Sequence, residues 1–249
     1  MGRPRLVRLD ALLVERGLAG SRERAKALIQ EGGVLVDGLP ASKSAAQVRP
    51  DQAVELARED HPWVGRGALK LLGVLDPLGV QVEGRVCADL GASTGGFTEV
   101  LLHRGAAKVF AIDVGKGQLA WKLRTDPRVV NMEGVNARSL DGLPEPVSLM
   151  VGDLSFISLA KVLPAVARLL APGGEAVLLV KPQFEAGRDA VRKGGWVDDA
   201  DRERAIHQVR ADAAAAGFVV LGGIDSPLAG AKAGNVEHFL HLARLPHPE

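Results

Sequence analysis

Residues 85–98 read RVCADLGASTGGFT, and the fold turns on how this stretch is parsed. Residues 85–90 form a short, largely apolar run between two glycines, the pattern of a buried strand. A turn of small residues follows, and 95–104 then reads as a helix. Glycine lets main chain approach a ligand closely, and a helix N-terminus offers free N–H groups. The spacing is not G-x-G-x-x-G, because the glycines fall at Gly91, Gly95 and Gly96. A second strand, 108–112, runs into Asp113, where a carboxylate can accept both ribose hydroxyls of a nucleoside. Strand, small-residue turn, helix and second acid, in this order, indicate an adenosine-type ligand across the carboxyl edge of a sheet.

Outward from that unit, apolar runs continue to alternate with helical stretches. Further strands are expected at 128–132, 147–152, 175–180, 218–224 and 236–242, and further helices at 158–170 and 199–216. Such alternation predicts an α/β fold, a Rossmann-like doubly wound sheet with helices on both faces. Only a loop, DSPLAGAKAGN, separates the last two strands, which predicts an antiparallel pair at the sheet edge.

The first 57 residues follow a different pattern. Leu9, Leu12 and Leu13 fall at helical spacing over 8–16, and Gly17 stops the run. Ser21 is placed to cap a second helix, RERAKALIQE, which Gly32 and Gly33 close. A short alternating strand, Val34-Leu35-Val36, leads into an Asp37-Gly38 turn, and 53–57 reads as a last strand. This small α+β module has a thin core and suits binding better than catalysis. Residues 58–65 read as a linker, so the expected organisation is 1–57, linker, and 66–249.

The chain has 249 residues, 47% hydrophobic and 24% charged, as in an ordinary globular protein. No apolar run approaches the roughly 18–20 residues of a membrane helix. The basic start, MGRPRLVRLD, is followed by no apolar region of a secretory signal. The single cysteine, Cys87, excludes an internal disulfide and a cysteine-based metal cluster. A cytoplasmic location is the simple expectation. The formal net charge of +1 hides a basic N-terminal part rich in arginine. His238 and His241 are three apart in an expected strand and point to opposite faces, so no metal site is expected from them.

Two more charged residues close strands of the same sheet. Asp153 follows 147–152, and Lys181 follows the apolar run AVLLV. Side chains at carboxyl strand ends face the ligand crevice. With Lys70 and Glu237 they match a Lys-Asp-Lys-Glu tetrad, and the stretches WVGRGALKL, DLGASTGGFT, GDLSFISL, VKPQFEAGR, KGGWV and SPLAGAKAGNVEHFLHL surround the four positions. In these stretches the chain resembles the TlyA, or hemolysin A, family, with an FtsJ-like methyltransferase domain. Its N-terminal module resembles the RNA-binding module of small-subunit ribosomal protein four.

The resemblance implies 2′-O-ribose methylation of ribosomal RNA with S-adenosyl-L-methionine as cofactor. The partners would be ribosomal RNA or ribosomal subunits, with neither a membrane nor an obligate protein partner. Members with a longer N-terminus, which this chain resembles, are associated with cytidines in both subunits. The implied catalytic residues are Lys70, Asp153, Lys181 and Glu237. Lys181 would be the proton acceptor, with the two acids orienting the lysines. Asp89, Gly91, Ser93, Gly95, Asp113 and Asn136 would serve the cofactor. Arg5, Arg8, Arg22, Lys26 and Arg66 are the candidate RNA contacts, Arg22 and Lys26 lying i,i+4 on one helix face. The chain departs from the family's common linker at His61 and Gly65, which bears on communication between the domains.

Other classes fit less well. A dinucleotide-dependent dehydrogenase would want the G-x-G-x-x-G turn. A pseudouridine synthase can share the N-terminal module but not this sheet and nucleoside turn. A noncatalytic RNA-binding protein or a hemolysin-type membrane-active protein is the alternative from a different class. Cofactor binding without RNA methylation would favour it.

Overall fold

The computed structural model describes residues 6–57, 61–231 and 233–245, and it divides into two compact units, Met1–Arg66 and Gly67–Glu249. The elements of the first unit are β1 (Val7–Arg8), α1 (Leu9–Glu15), α2 (Arg22–Gln30), β2 (Val34–Val36), β3 (Leu39–Pro40), β4 (Gln47–Val48) and β5 (Val54–Leu56). Ser21 Oγ accepts the Arg24 N–H at 3.1 Å and caps α2. Asp37 and Gly38 both take positive φ, the hairpin turn that joins β2 to β3. Leu9, Leu12, Leu13, Leu28 and Ile29 fill a core that belongs to this unit alone. The β1–β4 pairing is only two residues long, too short to leave a periodicity in the sequence.

The second unit contains α3 (Gly67–Leu75), β6 (Val86–Leu90), α4 (Gly96–His103), β7 (Lys108–Asp113), α5 (Trp121–Arg124), β8 (Val129–Glu133), β9 (Val147–Gly152), α6 (Leu163–Leu169), β10 (Leu170–Val180), α7 (Pro182–Glu185), α8 (Asp199–Ala215), β11 (Phe218–Asp225) and β12 (His238–Arg244). Seven of these strands form one sheet in the order β11-β12-β10-β9-β6-β7-β8. β6 to β10 run parallel to one another, and β12 is antiparallel to both β10 and β11. The expected antiparallel pair is present, with β11 at the edge and β12 inside the sheet. The chain leaves β6 toward β7 and β8, then returns to the other side of β6 as β9. That reversal opens a crevice at the carboxyl ends of β6, β7 and β9.

Several elements differ from expectation: the one-turn helices α5 and α7 have no counterpart in the sequence reading, and β10 begins at Leu170 rather than at 175. The α6 region begins with a tight turn at Leu159–Lys161, and the α-helix covers only Leu163–Leu169. Helix α3 has no counterpart in the sequence reading. Gly67 and Gly73 weaken its helical signal, and Lys70 interrupts the apolar face formed by Ala68, Leu71 and Leu75. Tertiary packing explains Gly73, where an added Cβ would lie 2.8 Å from Pro227 Cγ.

Candidate active site

The tight turn after β6 is built as its small residues require. Gly91 adopts φ +80°, and a Cβ there would come within 2.8 Å of the Asp153 carbonyl oxygen. Only glycine therefore allows the turn to lie against the end of β9. Gly95 adopts φ +98° at the start of α4, where a Cβ would overlap Leu119 and Leu123. Its close approach is to this packing.

A cleft of about 460 Å³ opens at this crevice. Gly91, Ser93, Asp113, Asn136 and Asp153 are among its walls, with Val114, Gln118, Leu154 and Ser155. Asp113 ends β7 with its carboxylate already oriented, accepting from Ser93 N–H at 2.8 Å and Gly115 N–H at 2.7 Å. Asn136 Oδ1 accepts the Arg138 N–H at 3.1 Å and starts the turn Ala137–Ser139. Glu133, absent from the sequence reading, holds the neighbouring loop by accepting from Gln118 and Leu119 N–H groups. Those backbone hydrogen bonds, Leu119 first, keep its carboxyl at about 2. An acid at the carboxyl end of a third parallel strand was the available signal.

Asp89 and Gly95 sit behind this lining. Asp89 is fully buried in β6, and its Oδ2 accepts from the Thr98 N–H at 2.9 Å and the Thr98 hydroxyl at 2.7 Å. Its Oδ1 is buried without a hydrogen-bond partner. Burial pushes the carboxyl up to about 7, and the neighbouring Asp153 and Asp113 add to the effect. The two acids in the cleft wall, Asp113 and Asp153, suit a ligand that carries positive charge. Cys87, on the same strand, is buried with its thiol pushed up to about 12 by desolvation, so it serves packing.

The tetrad meets this cleft through Asp153. Lys70 reaches in from α3, Asp153 from the loop after β9, Lys181 from the end of β10, and Glu237 from the residue before β12. Lys70 is 7% exposed and Glu237 2%. The Lys70 Nζ donates to Glu237 Oε2 at 2.5 Å and lies 3.9 Å from Asp153 Oδ2. Lys181 Nζ forms an ion pair with Asp153 and donates to Ser155 Oγ at 2.8 Å. Four residues spread over 167 positions thus form one chain of alternating charge, Glu237–Lys70–Asp153–Lys181. Each charge has an opposite neighbour, the condition for burying them.

A second groove, of about 660 Å³, adjoins the cleft and shares Arg138, Phe156 and Ile157 with it. Phe156 is 82% exposed at φ +64° and packs at 5.3 Å against Phe184. Lys161 and Arg188 add charge to the groove. The sequence reading missed this surface, because nothing in GDLSFISL distinguishes an exposed phenylalanine from a core one. His238 and His241 pair with separate carboxylates, Asp225 at 2.7 Å and Glu175 at 2.8 Å.

The candidate RNA contacts of the first unit fall in different settings. Arg5 lies outside the described residues. Arg8 and Arg22 both turn to Asp10, which is 0% exposed: Arg8 makes two hydrogen bonds, at 3.0 and 2.7 Å, and Arg22 approaches at 3.3 Å. The Arg8 hydrogen bonds hold the Asp10 carboxyl at about 2. Both guanidiniums remain about half exposed and keep N–H groups toward solvent. Lys26 is exposed on α2 with no ion pair among the described residues. Arg66 donates its main-chain N–H to Glu31 Oε1 at 3.1 Å. Of the residues expected in the linker, His61 lies against Glu31, and Trp63 accepts from Arg24. Both belong to the first unit.

The family description of the FtsJ-like methyltransferases matches residues 63–244, and that of the S4 domain matches residues 7–54. The chain is 51% identical to the 16S/23S rRNA (cytidine-2′-O)-methyltransferase TlyA of Mycobacterium tuberculosis, over 96% of this chain and 90% of the relative. A solved structure from Streptococcus thermophilus shares 40% identity. It superposes with a TM-score of 0.76, covering 98% of this chain and 90% of the other. A structure of an S-adenosylmethionine-dependent methyltransferase from Mesorhizobium loti, 16% identical with a TM-score of 0.51, shares the fold. It covers 69% of this chain and 96% of the other. No helix among the described residues is long and apolar enough to cross a membrane. By the span of the family match and the extent of identity, the chain belongs to the FtsJ-like methyltransferase family, in its TlyA branch.

Proposed function

We propose that this protein methylates a ribose 2′-hydroxyl of ribosomal RNA, at cytidine, using S-adenosyl-L-methionine. The observation that carries the reading is the buried Lys70–Glu237 pair, joined through Asp153 to Lys181 beside an acidic cleft. The residues of the cleft suit the cofactor. Asp113, pre-oriented by two main-chain donors, retains lone pairs for ribose hydroxyls. The Gly91 turn permits close backbone approach, and Asn136 also lines the cleft. The carboxylates of Asp113 and Asp153 in the cleft wall favour a cationic ligand. When bound, S-adenosylmethionine supplies a methyl group on a positively charged sulfur.

The protein's own residues have two tasks. The first is alignment of the ribose oxygen, which in the best cases contributes roughly 7–11 kcal/mol. The second is removal of one proton. Lys181, in its neutral form, accepts the 2′-hydroxyl proton at Nζ. Asp153 holds that amine in place. Glu237 anchors Lys70, whose ammonium lies beside Asp153 and faces the same carboxylate from the other side. The adjoining groove suits the acceptor strand: an exposed aromatic ring offers a stacking face, and Arg138, Lys161 and Arg188 offer phosphate contacts. In the S4 domain, Lys26, Arg8 and Arg22, with Arg5 and Arg66, supply RNA phosphate contacts of that unit's own.

The test is methyl transfer from labelled S-adenosylmethionine to unmodified small and large ribosomal subunits, with Lys181→Ala beside the unaltered protein. Label on ribose in either RNA, lost in the variant, is the expected result. Cofactor binding with no label on either subunit sinks the ribosomal assignment and favours a binding role.

A further inference from the structure

We propose that Ser155 is a positioning residue which, together with Asp153, fixes the direction of the Lys181 lone pair; this rests on the reading of Lys181 as proton acceptor. Lys181 Nζ donates to Ser155 Oγ at 2.8 Å and is ion-paired with the Asp153 carboxylate. A neutral amine has two N–H bonds and one lone pair beyond its carbon. The Ser155 hydroxyl directs one N–H, and the Asp153 carboxylate, in ion-pair contact with the same nitrogen, draws the second by charge, which leaves the third tetrahedral direction to the lone pair. If Asp153 were the sole acceptor, the remaining N–H and the lone pair could exchange places by rotation about the Cε–Nζ bond. Only one of the two arrangements can take a proton from a given oxygen. Ser155 removes the unproductive one.

The local chain is shaped for this. Asp153 and Ser155 are two residues apart in the loop after β9, and both line the cleft. The next residue, Phe156, holds φ +64°, a left-handed conformation costly for a bulky side chain. That turn closes the loop with the carboxylate and the hydroxyl on the same nitrogen. Ser155 is itself exposed, so its hydroxyl contributes little to the core.

The experiment measures kcat and KM for both substrates with the full-length protein, labelled S-adenosylmethionine and unmodified ribosomal subunits. One hydrogen bond to an amine is worth roughly a kcal/mol, so Ser155→Ala is expected to lower kcat about five- to tenfold. Both KM values should stay within about twofold if only orientation is lost. Ser155→Thr should restore most of the turnover, since it keeps the hydroxyl. Ser155→Cys, similar in size but a weak acceptor, should resemble Ser155→Ala. It also provides the measurement if the alanine variant fails to fold. Adding Ser155→Ala to Lys181→Ala should change nothing further. Wild-type kcat in both Ser155→Ala and Ser155→Cys overturns the proposal. So does a loss that appears in KM for S-adenosylmethionine, because it makes Ser155 a cleft-wall contact. An inactive Lys181→Ala beside a fully active Ser155→Ala removes the role of Ser155 alone. An active Lys181→Ala removes the reading of Lys181 and the proposal with it.

Discussion

Replacing Asp89 by asparagine is predicted to stabilise the methyltransferase domain at neutral and alkaline pH, and to do so less in acid. The Asp89 carboxyl is fully buried, with one oxygen bonded to Thr98 and the other unpartnered. Burial raises it from 3.8 to about 7. For an acid raised on folding, the stabilising contribution is complete below the unfolded value and is lost as pH rises through the folded value. The wild type should therefore lose stability between about pH 4 and pH 7 and level off above. At 1.36 kcal/mol per pH unit, that interval corresponds to at most about 4 kcal/mol. Asparagine is isosteric and does not titrate, and its carbonyl can still accept from Thr98. The assay is urea unfolding at pH 5, 6, 7 and 8, followed by Trp121 and Trp196 fluorescence with Trp63→Phe in both proteins. The gap between Asp89→Asn and wild type should widen toward pH 7 and stay constant above it. Parallel pH profiles for the two proteins would refute the burial argument.

Three further outcomes follow from the geometry. Gly91→Ala should cost about 1–3 kcal/mol in denaturant unfolding, from φ +80° and the 2.8 Å approach to Asp153, and should weaken S-adenosylmethionine binding measured by calorimetry. Asp10→Asn should destabilise the S4 domain by on the order of 1 kcal/mol, since both arginine partners are half exposed and solvent screens them. Because the Asp10 carboxyl is lowered to about 2, the wild-type advantage should persist above about pH 4 and vanish toward pH 2 in acid titration followed by circular dichroism. Lys26→Ala should weaken ribosomal RNA binding evenly across sequences and reduce the salt slope of the affinity by about one, read from filter binding at several salt concentrations.

The elements that position the cofactor cleft were legible because each carries a local signal. Strands β6, β7 and β9 are short apolar runs ended by Gly91, Asp113 and Asp153, and their order already implies the crevice. The Asp37-Gly38 turn and the Ser21 cap were legible for the same reason, since turn and cap chemistry lies within four residues. Helix α3 was not, because Gly73 answers to Pro227, more than a hundred residues away. The candidate site divides along the same line. Asp153 and Lys181 stand out at strand ends, but Lys70 and Glu237 became candidates only through resemblance, as a lysine in a glycine-bearing helix and an acid in a loop carry no pattern of their own. Arg8 and Arg22 read as free cations, and only the fold shows them turned to the buried Asp10.

The sequence by itself determined the two-part organisation and the alternating sheet, since these rest on residue type, periodicity and order along one dimension, and it marked Asp153 and Lys181 as charged strand ends. Tertiary structure decided the pairing within the tetrad, the burial that raises Asp89, the hydrogen bond from Lys181 to Ser155 and the exposure of Phe156. Those depend on distances between residues far apart in the chain, and on how much water the fold leaves between them.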